Sequence, residues 1–181
     1  MKNNKQNWIK YSIAFVLCFL VRLIPFRAPN IEPILATTMP FSKAYGKYFG
    51  FLFAFLSIFL FDAVTSGIGM WTLVTAVAYG LLGLWASHFF KNKKNTSINY
   101  VKFAVMGTIV YDVITGFTVG PLFFGQPFLQ AVMGQIPFTI LHLIGNVSFA
   151  FFLSPIIYRF IVQNKEVVKR SPILTLKEKQ A

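Results

Sequence analysis

Three carboxylates stand where an apolar chain rarely carries charge. Glu32, Asp62 and Asp112 lie in or beside long hydrophobic runs, whereas Glu166 and Glu178, the other acidic residues, fall in a polar C-terminal segment. Arg22 and Arg27 sit at the end of the first hydrophobic run. An ionised group in a membrane interior is costly unless it faces a cavity or a partner. Two chemistries fit such a set. Charged side chains from separate helices can bind a polar small molecule, or two carboxylates can share a proton and act as acid and base. The purely structural use is pairing, with an arginine tying helices together through Glu32 or an aspartate. Asn30, Thr65, Trp71, Thr72, Thr115, Gln126 and Gln135 add polar groups near the ends of the same runs. Tryptophans at such ends also serve as interfacial belt residues. His142 and Asn146 are four residues apart and share one helix face, although a lone helical histidine is more often a packing residue.

The elements that must position these groups follow from composition. Of 181 residues, 56% are apolar, only 12% are charged, and Phe alone occurs 22 times. A soluble domain carries roughly 25% charged residues, so this chain buries its apolar side chains against lipid. A spanning helix needs about 20 largely apolar residues. Six segments qualify: Trp8 to Phe26, Ile31 to Lys43, Tyr48 to Ser66, Met70 to Phe90, Tyr100 to Val119, and a last one that opens between Pro127 and Pro137 and ends near Val162. The second is short and broken by Pro33 and Pro40, and Pro127 to Gln135 could form a separate re-entrant or interfacial piece. The expected fold is an all-α membrane bundle of about six transmembrane helices over residues 8–162, with a short segment 1–7 before it and a basic tail 163–181 after it.

Charge gives the orientation. The net charge is +12, but the basic residues lie in short segments between apolar runs and form no stripe suited to nucleic acid. With both termini in the cytoplasm, the inner segments hold Lys2, Lys5, Lys10, Lys43, Lys47, Lys91, Lys93, Lys94, Lys102, Arg159, Lys165, Lys169, Arg170, Lys177 and Lys179, which leaves only Arg22 and Arg27 of the 17 basic residues. This matches the positive-inside rule. It also supports a crossing by the proline-broken second segment, since otherwise Lys43 and Lys47 would face outward. The three membrane carboxylates and the two arginines then converge on the outer half. The basic start resembles a signal peptide, but Arg22-Leu23-Ile24-Pro25 follows instead of a small-residue cleavage site, so it reads as a retained first span.

Other chemistries find little support. Cys18 is the single cysteine, His88 and His142 lie on different runs, and no phosphate loop or serine elbow occurs. The expectation is therefore no metal, no cofactor and no catalysis, with energy drawn from a gradient or a partner. A weak internal echo appears: Phe61-Asp62-Ala63-Val64-Thr65-Ser66 and Tyr111-Asp112-Val113-Ile114-Thr115-Gly116 share one pattern, as internal repeats of transporters do.

Against this background, Arg22-Leu23-Ile24-Pro25-Phe26, Pro29-Asn30-Ile31-Glu32-Pro33-Ile34, Phe61-Asp62-Ala63-Val64-Thr65 and Gly120-Pro121-Leu122-Phe123-Phe124-Gly125-Gln126-Pro127 resemble the substrate-binding S component of energy-coupling factor (ECF) vitamin transporters. The resemblance covers about residues 8 to 162. It implies capture of a vitamin or similar micronutrient at the outer side of a prokaryotic cell membrane. Delivery would follow by docking on a transmembrane T component with two cytoplasmic ATPases, which accounts for the missing ATP motif. The family's docking mark is Ala-x-x-x-Ala on the first helix; here Ala14 and Cys18 occupy those positions, and small residues at this spacing let helices approach closely. By the same resemblance Arg22, Arg27, Asn30 and Glu32 belong to the gate between the first two helices. Asp62, Thr65, Trp71, Asp112, Thr115, Gln126, His142 and Asn146 line or neighbour the pocket. Its mixture of charges and aromatics suits a polar or charged heteroaromatic ligand of either sign.

Two other classes compete. In a membrane scaffold or assembly protein the outer charges would be structural. Intramembrane aspartyl proteases also pair membrane aspartates, but Asp62 lacks their Gly-x-Gly-Asp context.

Overall fold

A computed structural model describes residues 4–25 and 30–162. It contains six α-helices: α1 (Asn4–Arg22), α2 (Ile34–Tyr45), α3 (Lys47–Val64), α4 (Met70–Phe90), α5 (Ser97–Thr118) and α6 (Phe128–Ile156). No strand occurs among the described residues. Short π-helical turns, Val119–Phe123 and Ile157–Val162, prolong α5 and α6. The all-helical expectation is met. Arg27 and residues 163–181 lie outside the described residues.

Four stretches are long and apolar enough to cross a membrane: Lys47–Thr65, Met70–Phe90, Ser97–Phe123 and Phe128–Phe160. No more than 44% of any of their most apolar windows is buried inside the protein. Leu52, Leu81, Ile109, Ile144 and Phe152 point outward, a surface that water would penalise and lipid tolerates. The last stretch is one continuous helix from Phe128 past Pro137, so Pro127 to Gln135 is not a separate piece. The helix tolerates Pro137 as membrane helices often do, because neighbouring groups satisfy the freed backbone.

α2 departs from an ordinary span. Its 12 residues reach only about 18 Å, against a hydrocarbon core of about 30 Å. Every residue from Ile34 to Ser42 is buried, because α1, α3, α4 and α6 surround it. The segment that leads into it, Asn30 to Pro33, is non-helical. Asn30 takes a left-handed backbone (φ 62°), and its carbonyl lies so close to Gly145 that a β-carbon there would approach to 3.0 Å. Irregular backbone within a membrane is tolerated only where it is buried in protein or lines a cavity.

The α3–α4 contact is the tightest. A β-carbon on Gly83 would overlap the backbone of Gly50, and one on Gly50 would overlap Ser42 and the Gly83 carbonyl. This is the close approach that small residues give to membrane helices. At the helix ends away from Asp62 and Glu32, basic residues gather. Lys10 donates to the Val162 carbonyl at 3.1 Å. Lys43 donates to the Lys93 carbonyl at 2.8 Å and lies 4.9 Å from the centre of the Tyr158 ring. Next to them Tyr11, Phe41 and Phe53 interlock edge to face and stacked, an arrangement that stabilises beyond simple area burial.

Candidate functional site

The carboxylate-bearing end holds a cavity of about 370 Å³, lined by Arg22, Asn30, Glu32, Ile58, Asp62, Trp71, Thr75, Tyr79, Tyr111, Phe138 and His142. Each wall has a local cause. α1 stops at Arg22, whose guanidinium turns inward; the helix ends short of the expected Phe26. Arg22 Nε meets Glu32 Oε2 at 2.9 Å, with the two side chains only 8% and 10% exposed. Arg22 Nη1 also donates to the Ser57 carbonyl at 2.5 Å, and the guanidinium lies 3.8 Å from the centre of the Phe61 ring. The ion pair thus ties the last turn of α1 to the segment that feeds α2, while α3 supplies the carbonyl and the ring.

Asp62 closes α3. The Thr72 hydroxyl, one helix on, donates to Asp62 Oδ2 at 2.8 Å. The related residue of the echo, Asp112, is deep in the bundle at 1% exposure. Its Oδ1 lies 2.7 Å from His142 Nδ1 on α6. Each aspartate therefore bonds to the helix that follows its own. Both echo threonines also donate to the carbonyl four residues back, Thr65 to Phe61 at 2.7 Å and Thr115 to Tyr111 at 2.9 Å. There the likeness ends: Thr115 is buried and Thr65 exposed. α3 terminates at Val64, so nothing packs beyond Thr65, whereas α5 continues alongside α6.

A second hollow of about 390 Å³ adjoins the first and shares Thr75, Tyr111 and Phe138 with it. Thr115, Gly116, Gly120, Gln126, Gly134 and Gln135 line its remainder. One turn deeper on α6, Asn146 donates to the Thr108 hydroxyl at 2.8 Å. Asn30 Nδ2, Tyr79 Oη, Asp112 Oδ2 and Asn146 Oδ1 are buried without a hydrogen-bond partner. Buried polar atoms normally have partners, and of these four residues Asn30 and Tyr79 line the first cavity. Among the described residues no group of three His, Cys, Asp or Glu side chains comes together to hold a metal.

Of the residues singled out in the sequence, Arg22, Asn30, Glu32, Asp62, Trp71 and His142 face the first cavity. Thr115 and Gln126 face the second. Asp112 stands behind His142, and Asn146 lies deeper. Thr65 faces neither. Ala14 and Cys18 are buried at 3% and 5% and line an apolar groove with Leu17, Val21, Phe149 and Leu153. Cys18 Sγ also lies 3.1 Å from Thr37 Oγ1.

Sequence reasoning passed over Thr75 and Tyr79. Their signal was spacing: Trp71, Thr75 and Tyr79 recur every four residues and so share one face of α4. Tyr79 is 1% exposed and meets Tyr111 edge to face, with ring centres 4.6 Å apart.

The family comparison decides the wider context. The model of the family described as "ECF-type riboflavin transporter, S component" matches residues 9–159. The chain belongs to this S-component family. It is therefore a component of a transporter family, not of an enzyme family, and a multi-pass membrane protein. No curated protein and no solved structure matches it. In this S component the matched region runs from α1 to the last turn of α6 and takes in every cavity residue named above.

Proposed function

We propose that this S component captures a vitamin or similar micronutrient in the cavity between Arg22, Asp62 and His142 and hands it on by docking to a T component with two ATPases. The carrying observation is the convergence of ionic and aromatic side chains from α1, α3, α4, α5, α6 and the Asn30–Pro33 segment on one cavity at one end of the bundle. A cavity of about 370 Å³ falls in the range of small-molecule sites. The basic residues at the opposite end support a bundle of six spans over residues 8–162, both termini and the tail 163–181 inside, and the cavity opening outward. The cell is prokaryotic and the membrane its plasma membrane. The short, enclosed α2 counts as a span in this arrangement.

Docking uses the face of α1 that bears Ala14 and Cys18. Both side chains are themselves buried, so a T component would reach them through the apolar groove beside them, about 330 Å³ between α1, α2 and α6, which has room for apolar side chains of a partner helix. The purified protein is expected to bind its small molecule without ATP and, from its own cells, to co-purify with a T component and two ATPases. Absence of any such module from a gentle purification that retains lipids would count against the assignment.

A further inference from the structure

The seam between α4 and α5 is closed at one level and open at another. Toward the basic end, Trp85 and Phe89 of α4 pack against Phe103 of α5, with ring centres 5.0 and 5.3 Å apart. From Trp85 toward the cavity end the helices leave a groove of about 260 Å³. Val74, Ala78, Leu81 and Trp85 line it from α4, and Val110 and Ile114 from α5. The first four recur at intervals of three and four residues, so they share one helix face. Leu81, Val110 and Ile114 are exposed, so the groove opens sideways, where the bilayer lies. Among the described residues no charged side chain lines it.

Cations stand at the basic end of the same seam. Lys102, Met106, Val110 and Ile114 follow one another at four-residue intervals and form a row on the surface of α5, and all four are exposed. From Lys102 to Ile114 the row measures about 18 Å, against about 15 Å for one leaflet's half of the hydrocarbon core. Across the seam the Lys93 ammonium lies over the Phe89 ring, 5.1 Å from its centre. The turn that carries Lys93 and Lys94 is pinned. The Lys93 N–H donates to the Phe90 carbonyl, and the Thr96 N–H and the Asn99 side-chain amide donate to the Lys94 carbonyl. Glu32, Asp62 and Asp112 lie at the other end of the bundle. The remaining acidic residues of the whole chain, Glu166 and Glu178, belong to a segment, 163–181, in which basic residues outnumber them. The chain therefore cannot neutralise its basic end by itself.

We propose that this seam seats an anionic phospholipid, with its phosphate beside Lys93, Lys94 and Lys102 and one acyl chain running past Met106 into the groove. The lipid belongs to the leaflet at the basic end, the inner one in the orientation proposed above, and its binding does not depend on what the outer cavity holds. An acidic peptide would match the lysines and leave the groove unfilled. An apolar helix would fill the groove and leave the lysines unmatched. A phospholipid does both, since its charge and its hydrocarbon are spaced along one leaflet as the lysines and the groove are along α5. Tyr111 lines the groove and both hollows of the candidate site, so the acyl chain lies behind a ring that walls the cavity.

Quenching of Trp85 fluorescence by brominated lipid tests this. The chain has three tryptophans, so Trp8→Phe with Trp71→Phe leaves Trp85 as the reporter. The full-length protein is placed in mixed vesicles of phosphatidylglycerol and phosphatidylcholine, with bromine on the acyl chains of one lipid at a time. Each lysine beside an anionic headgroup favours it by about fivefold. Phosphatidylglycerol is therefore expected to quench as though enriched about tenfold or more at Trp85 over its bulk fraction, and high salt should reduce that preference. Lys93→Gln with Lys94→Gln and Lys102→Gln is expected to bring the two lipids to equal quenching in a protein that still elutes as a monodisperse peak. Soluble glycerol phosphate, which has the anionic group without the chains, is expected not to relieve the quenching. Equal quenching by the two lipids in the parent overturns the proposal. A preference that survives unchanged in the folded triple variant overturns the role of the lysines, and relief by glycerol phosphate overturns that of the groove. Absence of quenching by either lipid means that protein, such as a second copy of the chain, covers the seam, and overturns the proposal as well.

Discussion

Glu32→Gln offers a quantitative probe of the cavity's architecture. In the native protein the Arg22–Glu32 pair is almost wholly enclosed, at 8% and 10% side-chain exposure. Neutralising one partner of a buried pair leaves the other charge uncompensated, at a cost of about 3–5 kcal/mol. Two contacts temper that figure here, because Arg22 keeps the Ser57 carbonyl and the Phe61 ring. A loss near the lower bound, about 3 kcal/mol, is therefore expected. For a chain of this length such a loss corresponds to a melting temperature lower by roughly 6–12 °C. Neutralising both partners, as in Arg22→Met with Glu32→Gln, removes the orphaned charge and is expected to recover most of that stability. The assay is thermal unfolding of the detergent-purified protein followed by intrinsic fluorescence. If Glu32→Gln melts within about 1 °C of the parent, or the double variant melts no higher than the single one, the pair does not hold α1 against the Asn30–Pro33 segment.

Three further outcomes follow from the packing. Gly83→Leu, which drives a side chain into the Gly50 backbone, is expected to abolish a monodisperse peak in size-exclusion chromatography, whereas Gly134→Ala, beside open space, should leave it intact. Asp112→Ala strands His142 and is expected to cost about 1.5–3 kcal/mol, with Asp112→Asn milder because it keeps an acceptor; melting curves of the two variants distinguish these effects. Ala14→Leu narrows the groove on α1 and is expected to reduce co-purification of the T component without changing ligand affinity, whereas Cys18→Ala preserves both.

The legibility of this protein in its sequence divides along physical lines. Asp62, Asp112, Glu32 and Arg22 could be singled out because charge in an apolar run is conspicuous, and the structure brings Arg22, Glu32 and Asp62 to one cavity, with Asp112 behind His142. Thr75 and Tyr79 could not, since hydroxyls and aromatics are ordinary in membrane helices and only their four-residue spacing from Trp71 sets them apart. The echo around Asp62 and Asp112 was textual, and its local hydrogen bonds recur. Burial differs because helix length and neighbours, which six residues do not encode, decide what lies beyond each threonine. α2 was the hardest element to delimit. Hydropathy identifies segments that face lipid, and a short helix enclosed by other helices is under no such demand. Gly145 shows the same limit from another side: its need to be small comes from the Asn30 carbonyl, a residue far away in sequence.

Native mass spectrometry of the protein extracted from its own membranes, compared with Thr75→Trp, bears most directly on the central claim. Thr75 faces both hollows, so an indole at that position occupies the space a ligand needs. The account predicts one bound small molecule on the parent protein, absent from Thr75→Trp although the variant still folds. A parent protein that never carries such a mass, or a variant that retains it undiminished, would contradict the account.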